Sequence, residues 1–242
     1  MKNAIEIKGL GKNYRDFSLK DISFSLPEGS ILGLVGENGA GKSTTINLIM
    51  NAISRDSGTV TVLGTDNQSK DFLQVKEDIG VVLDEAYFPA VISAANVNSI
   101  MKYTYRNWNE QEYFLYLKKF DLPQKKMFKD YSRGMKMKLA IAVALSHGSR
   151  LLVLDEATSG LDPIVREEIL DIFKEFSANA EHSILLSSHI VSDLEKLCDY
   201  IAFIHKGKLL FCEKKEKLLE DYALSEHTTL EDIILFMARK GE

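Results

Sequence analysis

Nine consecutive residues, Gly36-Glu37-Asn38-Gly39-Ala40-Gly41-Lys42-Ser43-Thr44, fit the spacing G-x-x-x-x-G-K-[ST] at every constrained position. These residue types suit the capture of a polyphosphate. Gly36, Gly39 and Gly41 let the backbone bend so that successive N–H groups point at one anion. A helix starting near Lys42 adds its positive dipole end to the same spot. Lys42 can reach the β- and γ-phosphates as a point charge, and Ser43 offers a hydroxyl to Mg²⁺. An apolar run, Ile31–Val35, precedes the loop, and helix-compatible residues 43–53 follow it. Strand, glycine loop and helix in that order predict a nucleoside triphosphate site.

Other polar residues stand at the ends of apolar runs. Leu151-Leu152-Val153-Leu154 closes on the pair Asp155-Glu156, residues 79–83 close on Asp84, and residues 183–187 lead to His189. Alternation at Ile5-Glu6-Ile7 and at Ile22-Ser23-Phe24-Ser25-Leu26 reads as half-buried strands, and residues 58–64 as a glycine-bounded strand. Residues 79–83 have the continuous apolar look of a parallel strand buried on both faces. From residue 87 to 147 the chain is helical in pattern and rich in Tyr, Lys and Met. There Asn109 and Glu112 have capping-box spacing, with Tyr113, Tyr116, Leu117 and Phe120 on one face, and a second helix is expected over 134–146. Asp162-Pro163 opens a helix whose buried face is Val165, Ile169, Ile172, Phe173 and Phe176. A hairpin turns at Lys206-Gly207, and Thr229 starts a terminal amphipathic helix. Strands alternating with helices place the core in the α/β class, with the phosphate loop at the carboxyl end of a strand. The expected division is a nucleotide-binding core, 1–86 and 148–242, interrupted by a helical subdomain, 87–147.

Composition bounds the partners. The 242 residues are 45% hydrophobic and 27% charged, which suits one large soluble domain carrying a subdomain. A net charge of −5 argues against a dedicated nucleic-acid binder. Cys198 and Cys212 form no C-x-x-C pair and read as packed thiols of a reducing compartment. The first residues lack a signal-peptide core, and no apolar run approaches the ~20 residues that span a bilayer. The expected location is the cytoplasm, and any membrane role needs a separate partner.

In order along the chain, these motifs resemble the ATPase domain of the ATP-binding cassette (ABC) superfamily, and the resemblance covers essentially the whole sequence. It implies a P-loop core of mixed sheet and flanking helices, with an antiparallel β subdomain and an inserted helical one. Asp155 resembles the Walker B aspartate that holds Mg²⁺, and Glu156 the general base that deprotonates the attacking water. His189 matches the switch histidine that contacts the γ-phosphate, and Tyr14 the aromatic that stacks on adenine. Tyr131-Ser132-Arg133-Gly134-Met135 matches the family signature L-S-G-G-Q at Ser132 and Gly134, with departures at Tyr131, Arg133 and Met135. Through the resemblance, Ser132 and Gly134 would bind the γ-phosphate held by a second ABC domain, in a homo- or heterodimer. Ser159-Gly160-Leu161-Asp162 looks like the loop that crosses that interface. Asp84 stands where the family has glutamine, so a carboxylate is placed near Mg²⁺ or the lytic water, and Ala157 replaces a proline.

The implied function is an ATP-hydrolysing subunit that powers export by integral membrane subunits through ATP-driven dimer closure. It would sit on the cytoplasmic face of the membrane, with ATP and Mg²⁺ as cofactors and no nucleic acid. The run Tyr87-Phe88-Pro89-Ala90-Val91-Ile92 is expected either to receive a helix of the membrane subunit or to pack the subdomain onto the core. The alternative function is a soluble ABC ATPase acting on nucleic acid or ribosomes.

Overall fold

The computed structural model describes residues 2–84, 88–222 and 228–240. Tyr87 lies outside them, as does the expected boundary at 86/87. Two long strands open the chain, β1 (Asn3–Asn13) and β2 (Ser18–Pro27). Then come β3 (Ile31–Val35), α1 (Lys42–Ile49), β4 (Ser57–Val62), β5 (Thr65–Asp66), α2 (Phe72–Val75) and β6 (Ile79–Val82). Helices α3 (Ala94–Thr104), α4 (Glu110–Lys119) and α5 (Arg133–Leu145) fill the stretch before β7 (Leu151–Asp155). After β7 follow α6 (Pro163–Ser177), β8 (Ser183–Ser188), α7 (Val191–Leu197), β9 (Tyr200–His205) and β10 (Lys208–Lys214). The last described elements are α8 (Lys215–Tyr222) and α9 (Leu230–Lys240).

Among the described residues the strands form one sheet in the order β5-β4-β1-β2-β10-β9-β3-β8-β7-β6. From β9 to β6 all neighbours are parallel. The β5-β4-β1-β2 end is antiparallel. Strand β10 joins the halves, antiparallel to β9 and touching β2 through a single parallel pair, Lys208 with Lys20. This is the mixed α/β sheet that the sequence predicts.

Period-two alternation on the parallel strands feeds two separate cores. Leu152, Leu154, Ile184 and Leu186 face the helices α4 to α7, while Leu151, Val153, Leu185 and Leu34 face α1 and the antiparallel half. Each large apolar side chain so buried contributes about 1.5–3 kcal/mol. On the helical side, Tyr113 is fully buried and donates its hydroxyl to the Ala94 carbonyl at 2.9 Å. Helix starts follow side-chain capping: Asn109 accepts from the Glu112 N–H at 3.1 Å, and Asp162 from the Val165 N–H at 3.1 Å with Pro163 behind it.

Two local expectations are corrected. Helix α1 stops at Ile49 rather than 53, because Asn51 turns left-handed at φ 50°. Strand β6 is not buried on both faces, since it is the sheet edge and Val81 is 37% exposed. Of the run expected either to receive a membrane-subunit helix or to pack the subdomain, the described part, 88–92, divides: the Phe88 ring packs edge-on against Phe128 at 5.4 Å, whereas Val91 is exposed.

Candidate nucleotide site

Strands β3, β7 and β8 are parallel neighbours, so the residues after their carboxyl ends emerge along one edge of the sheet. Val35 is level with Ser188 and Asp155 with Ser187. The register therefore sets the phosphate loop, the acid pair and His189 side by side, though the sequence spreads them over more than 150 residues.

The loop leaves β3 flush against β9. A Cβ on Gly36 would stand 2.2 Å from the Ile204 carbonyl oxygen, so only glycine fits. The Gly207 N–H donates to the Ala40 carbonyl at 3.0 Å, so the β9–β10 hairpin buttresses the loop. At the N-terminus of α1, Gly41 adopts φ 115° and no side chain caps the helix. Its first N–H groups are thereby left for an anion. Glu37, Asn38, Gly39 and Ser43 are exposed, and Ala40 and Lys42 are buried. The Lys42 ammonium donates to the Gly36 carbonyl at 2.7 Å and the Glu37 carbonyl at 3.3 Å. It also lies 3.3 Å from Glu156 Oε1. That last contact is Coulombic, because Oε1 receives no directed hydrogen bond.

Glu156 holds its other oxygen, Oε2, against His189 Nδ1 at 2.6 Å. Its backbone is left-handed at φ 52°, a conformation worth about 1–3 kcal/mol of strain in a non-glycine residue. Ser187 stabilises it: the Glu156 N–H donates to the Ser187 carbonyl at 3.1 Å and to Ser187 Oγ at 3.2 Å. The same hydroxyl donates to Asp155 Oδ1. Sequence reasoning missed Ser187, although the Ser187-Ser188 pair interrupts an apolar strand just before His189.

Asp155 is 7% exposed and has no ion-pair partner among the described residues. A buried carboxylate satisfied only by a hydroxyl is suited to a cation. Joined by the Ser43 hydroxyl of the loop, its donor set would be all oxygen, which fits Mg²⁺, an ion that takes one carboxylate and completes its shell with phosphate and water. No cluster of three His, Cys, Asp or Glu that could hold a metal exists among the described residues.

The remaining expected residues lie apart from this centre. Tyr14 is 48% exposed and lines an open cleft of about 510 Å³ with Arg15, Phe17, Lys20, Gly39 and Lys208. Gly39 makes that cleft continuous with the phosphate loop. Asp84 is exposed beyond β6. Ser132 caps α5, accepting from the Met135 N–H at 3.3 Å. Neither Ser132 nor Gly134 bonds to the phosphate loop, Glu156 or His189 of its own chain. Of the two thiols, Cys198 is buried and pushed far up by desolvation, and Cys212 rises to about 11 for the same reason.

Residues 19–159, more than half of the chain, match the family model described as ABC transporter. The lantibiotic transport ATP-binding protein SrtF of Streptococcus pyogenes is 32% identical over 231 residues, covering 92% of this chain and 98% of that protein. The bacitracin transport ATP-binding protein BcrA of Bacillus licheniformis is 33% identical over 214 residues, covering 87% and 69%. An ATP binding subunit of an ABC transporter superposes with a TM-score of 0.87 at 24% identity, covering 97% of this chain and 99% of that one. A dimeric ATP-binding cassette in a post-hydrolysis state with ADP and phosphate gives 0.77 at 22%, covering 87% and 98%. At those identities the two structures speak for the fold. The chain belongs to the ABC transporter family. Within it, this is an ATP-binding, ATP-hydrolysing subunit. No helix among the described residues is long and apolar enough to cross a membrane.

Proposed function

We propose that the chain powers export of an antibiotic or peptide by separate integral membrane subunits, on the cytoplasmic face of the membrane. Two relatives named for lantibiotic and bacitracin transport support the cargo class. The alternative of a soluble ATPase acting on nucleic acid or ribosomes is not favoured by those relatives.

One observation carries the chemical assignment. Glu156 lies between Lys42 and His189 at the mouth of the glycine loop, where a γ-phosphate and its attacking water would sit. In this reading residues 36–44 hold the triphosphate, with Lys42 on its terminal phosphates. Ser43, Asp155 and Asp84 would hold Mg²⁺, which would neutralise charge on the phosphates. Glu156 takes the proton of the water and His189 keeps its carboxylate aimed. Tyr14 stacks on the base in the adjoining cleft. Ser132 and Gly134 serve the nucleotide of a second ABC domain, consistent with their lack of bonds to their own loop. Residues 87–147 form the helical subdomain that passes closure to the membrane subunits, and 1–86 with 148–242 form the core.

The test is co-expression with the membrane proteins encoded beside this chain. A stable complex whose ATPase activity needs Mg²⁺ and rises with cargo is expected. An ATPase that never assembles with them, and instead sediments with ribosomes or DNA, would overturn the export reading.

A further inference from the structure

Arg133 stands in the first turn of α5 and is exposed, and its side chain makes no hydrogen bond or ion pair among the described residues. Its guanidinium lies instead on the loop that follows Glu156. A Cβ on Gly160 would meet Nη1 at 2.8 Å, Cζ at 2.9 Å and Nη2 at 3.2 Å. Three nearly equal distances mean that the flat face of the group, not its edge, covers the Gly160 backbone. Gly160 is also left-handed at φ 65°, so a side chain there would be strained as well as crowded.

Two further contacts continue the same seam. A Cβ on Gly134 would lie 3.2 Å from Val165 Cγ1, and Lys138 pairs with Glu168. Helix α5 is thus seated on α6 at successive turns, and Arg133 extends the seam onto the loop in front of α6. That loop is short and bonded at each end. The Ser159 N–H donates to the Glu156 carbonyl at 3.0 Å, and Asp162 caps α6. Only residues 157–161 separate Glu156 from that cap.

We propose that Arg133 is a positioning residue for Glu156, its guanidinium plate holding the 157–161 loop so that α5 and the Glu156 carboxylate move together within one chain. The inference rests on the reading of Glu156 as the base. A guanidinium suits the task because it is planar, weakly hydrated and stacks on flat groups, whereas a lysine ammonium does not.

The experiment compares ATP hydrolysis by wild type, Arg133→Ala, Arg133→Lys, Gly160→Ala and the Arg133→Ala/Gly160→Ala double variant. In Arg133→Ala, kcat should fall about tenfold while KM for ATP stays within roughly twofold. Lysine should not restore it, but millimolar guanidinium ion should, relative to equal sodium chloride. Because the methyl group added by Gly160→Ala displaces the same guanidinium, the double variant should be no slower than the worse single one. Hydrogen exchange of the 157–161 amides should quicken in Arg133→Ala. Multiplying losses would overturn the inference, since Arg133 would then act elsewhere, for instance on a second copy's phosphates. Unchanged turnover or unchanged exchange in Arg133→Ala would also overturn it. A wild-type chain without ATPase activity would bring down the reading of Glu156 as well; an active wild type with an unaffected Arg133→Ala would bring down this inference alone.

Discussion

His189 Nδ1 lies 2.6 Å from Glu156 Oε2, joining the residue just beyond β8 to the residue just beyond β7 across 33 positions of sequence. Lys42 approaches the other oxygen of the same carboxylate at 3.3 Å. One acid thus faces a cation on one side and an imidazole on the other. This orients it toward the helix N-terminus where a phosphate would rest.

Replacing Glu156 by Gln keeps the shape and removes the proton acceptor. Turnover by Glu156→Gln should fall by roughly 10²–10⁴, with ATP binding retained. Lys42→Ala should instead weaken ATP binding, because the phosphates lose their nearest charge. Phosphate release and nucleotide titration separate the two. Near wild-type turnover by Glu156→Gln would place the base elsewhere.

Ser187 holds both acids, donating to Asp155 and accepting from the Glu156 N–H. Ser187→Ala strips a charged acceptor of a buried donor, so stability should drop by about 1.5–3 kcal/mol. Hydrolysis should also need more Mg²⁺, since Asp155 is no longer fixed. Urea melts and a Mg²⁺ titration of activity read these two effects. Unaltered values in both would leave Ser187 as packing alone.

His147 links the end of α5 to the approach to β6. Its Nδ1 is 2.9 Å from the Glu77 carbonyl, and its ring stacks on Tyr105 at 4.0 Å. A carbonyl only accepts, so Nδ1 carries the proton and Nε2, buried without a partner, is bare. Burial therefore holds the imidazole below its ordinary value of 6.5. The unfolded chain takes up a proton near that value and the folded chain resists it. This contribution is complete above 6.5 and is lost as pH falls below it. His147→Phe keeps a stacked ring that cannot titrate. It should be less stable at neutral pH by about 1–3 kcal/mol, from the orphaned carbonyl. Its urea midpoint should depend less on pH between about 7 and 5 than that of wild type. Equal slopes would assign the acid sensitivity to other groups.

What the chain states by itself is whatever its chemistry keeps local. The phosphate loop is legible because its residues are neighbours in sequence and in space, and backbone curvature needs the three glycines. The Asp162-Pro163 start of α6 and the turn at Lys206-Gly207 are equally local, and both stand where expected. Family resemblance, not spacing, gave Glu156 and His189 their separate roles, and the register of β7 on β8 makes them touch. Other relationships exist only after folding. The place of β3 between β9 and β8 follows from long crossovers, and no local pattern encodes that order. From it come the β9 carbonyl against Gly36, the double role of Ser187 and the open edge at β6. The seat of Arg133 on Gly160 likewise requires α5 to lie against α6. Each depends on which distant backbone comes within about 3 Å, and that distance is set by packing of the whole sheet and its helices.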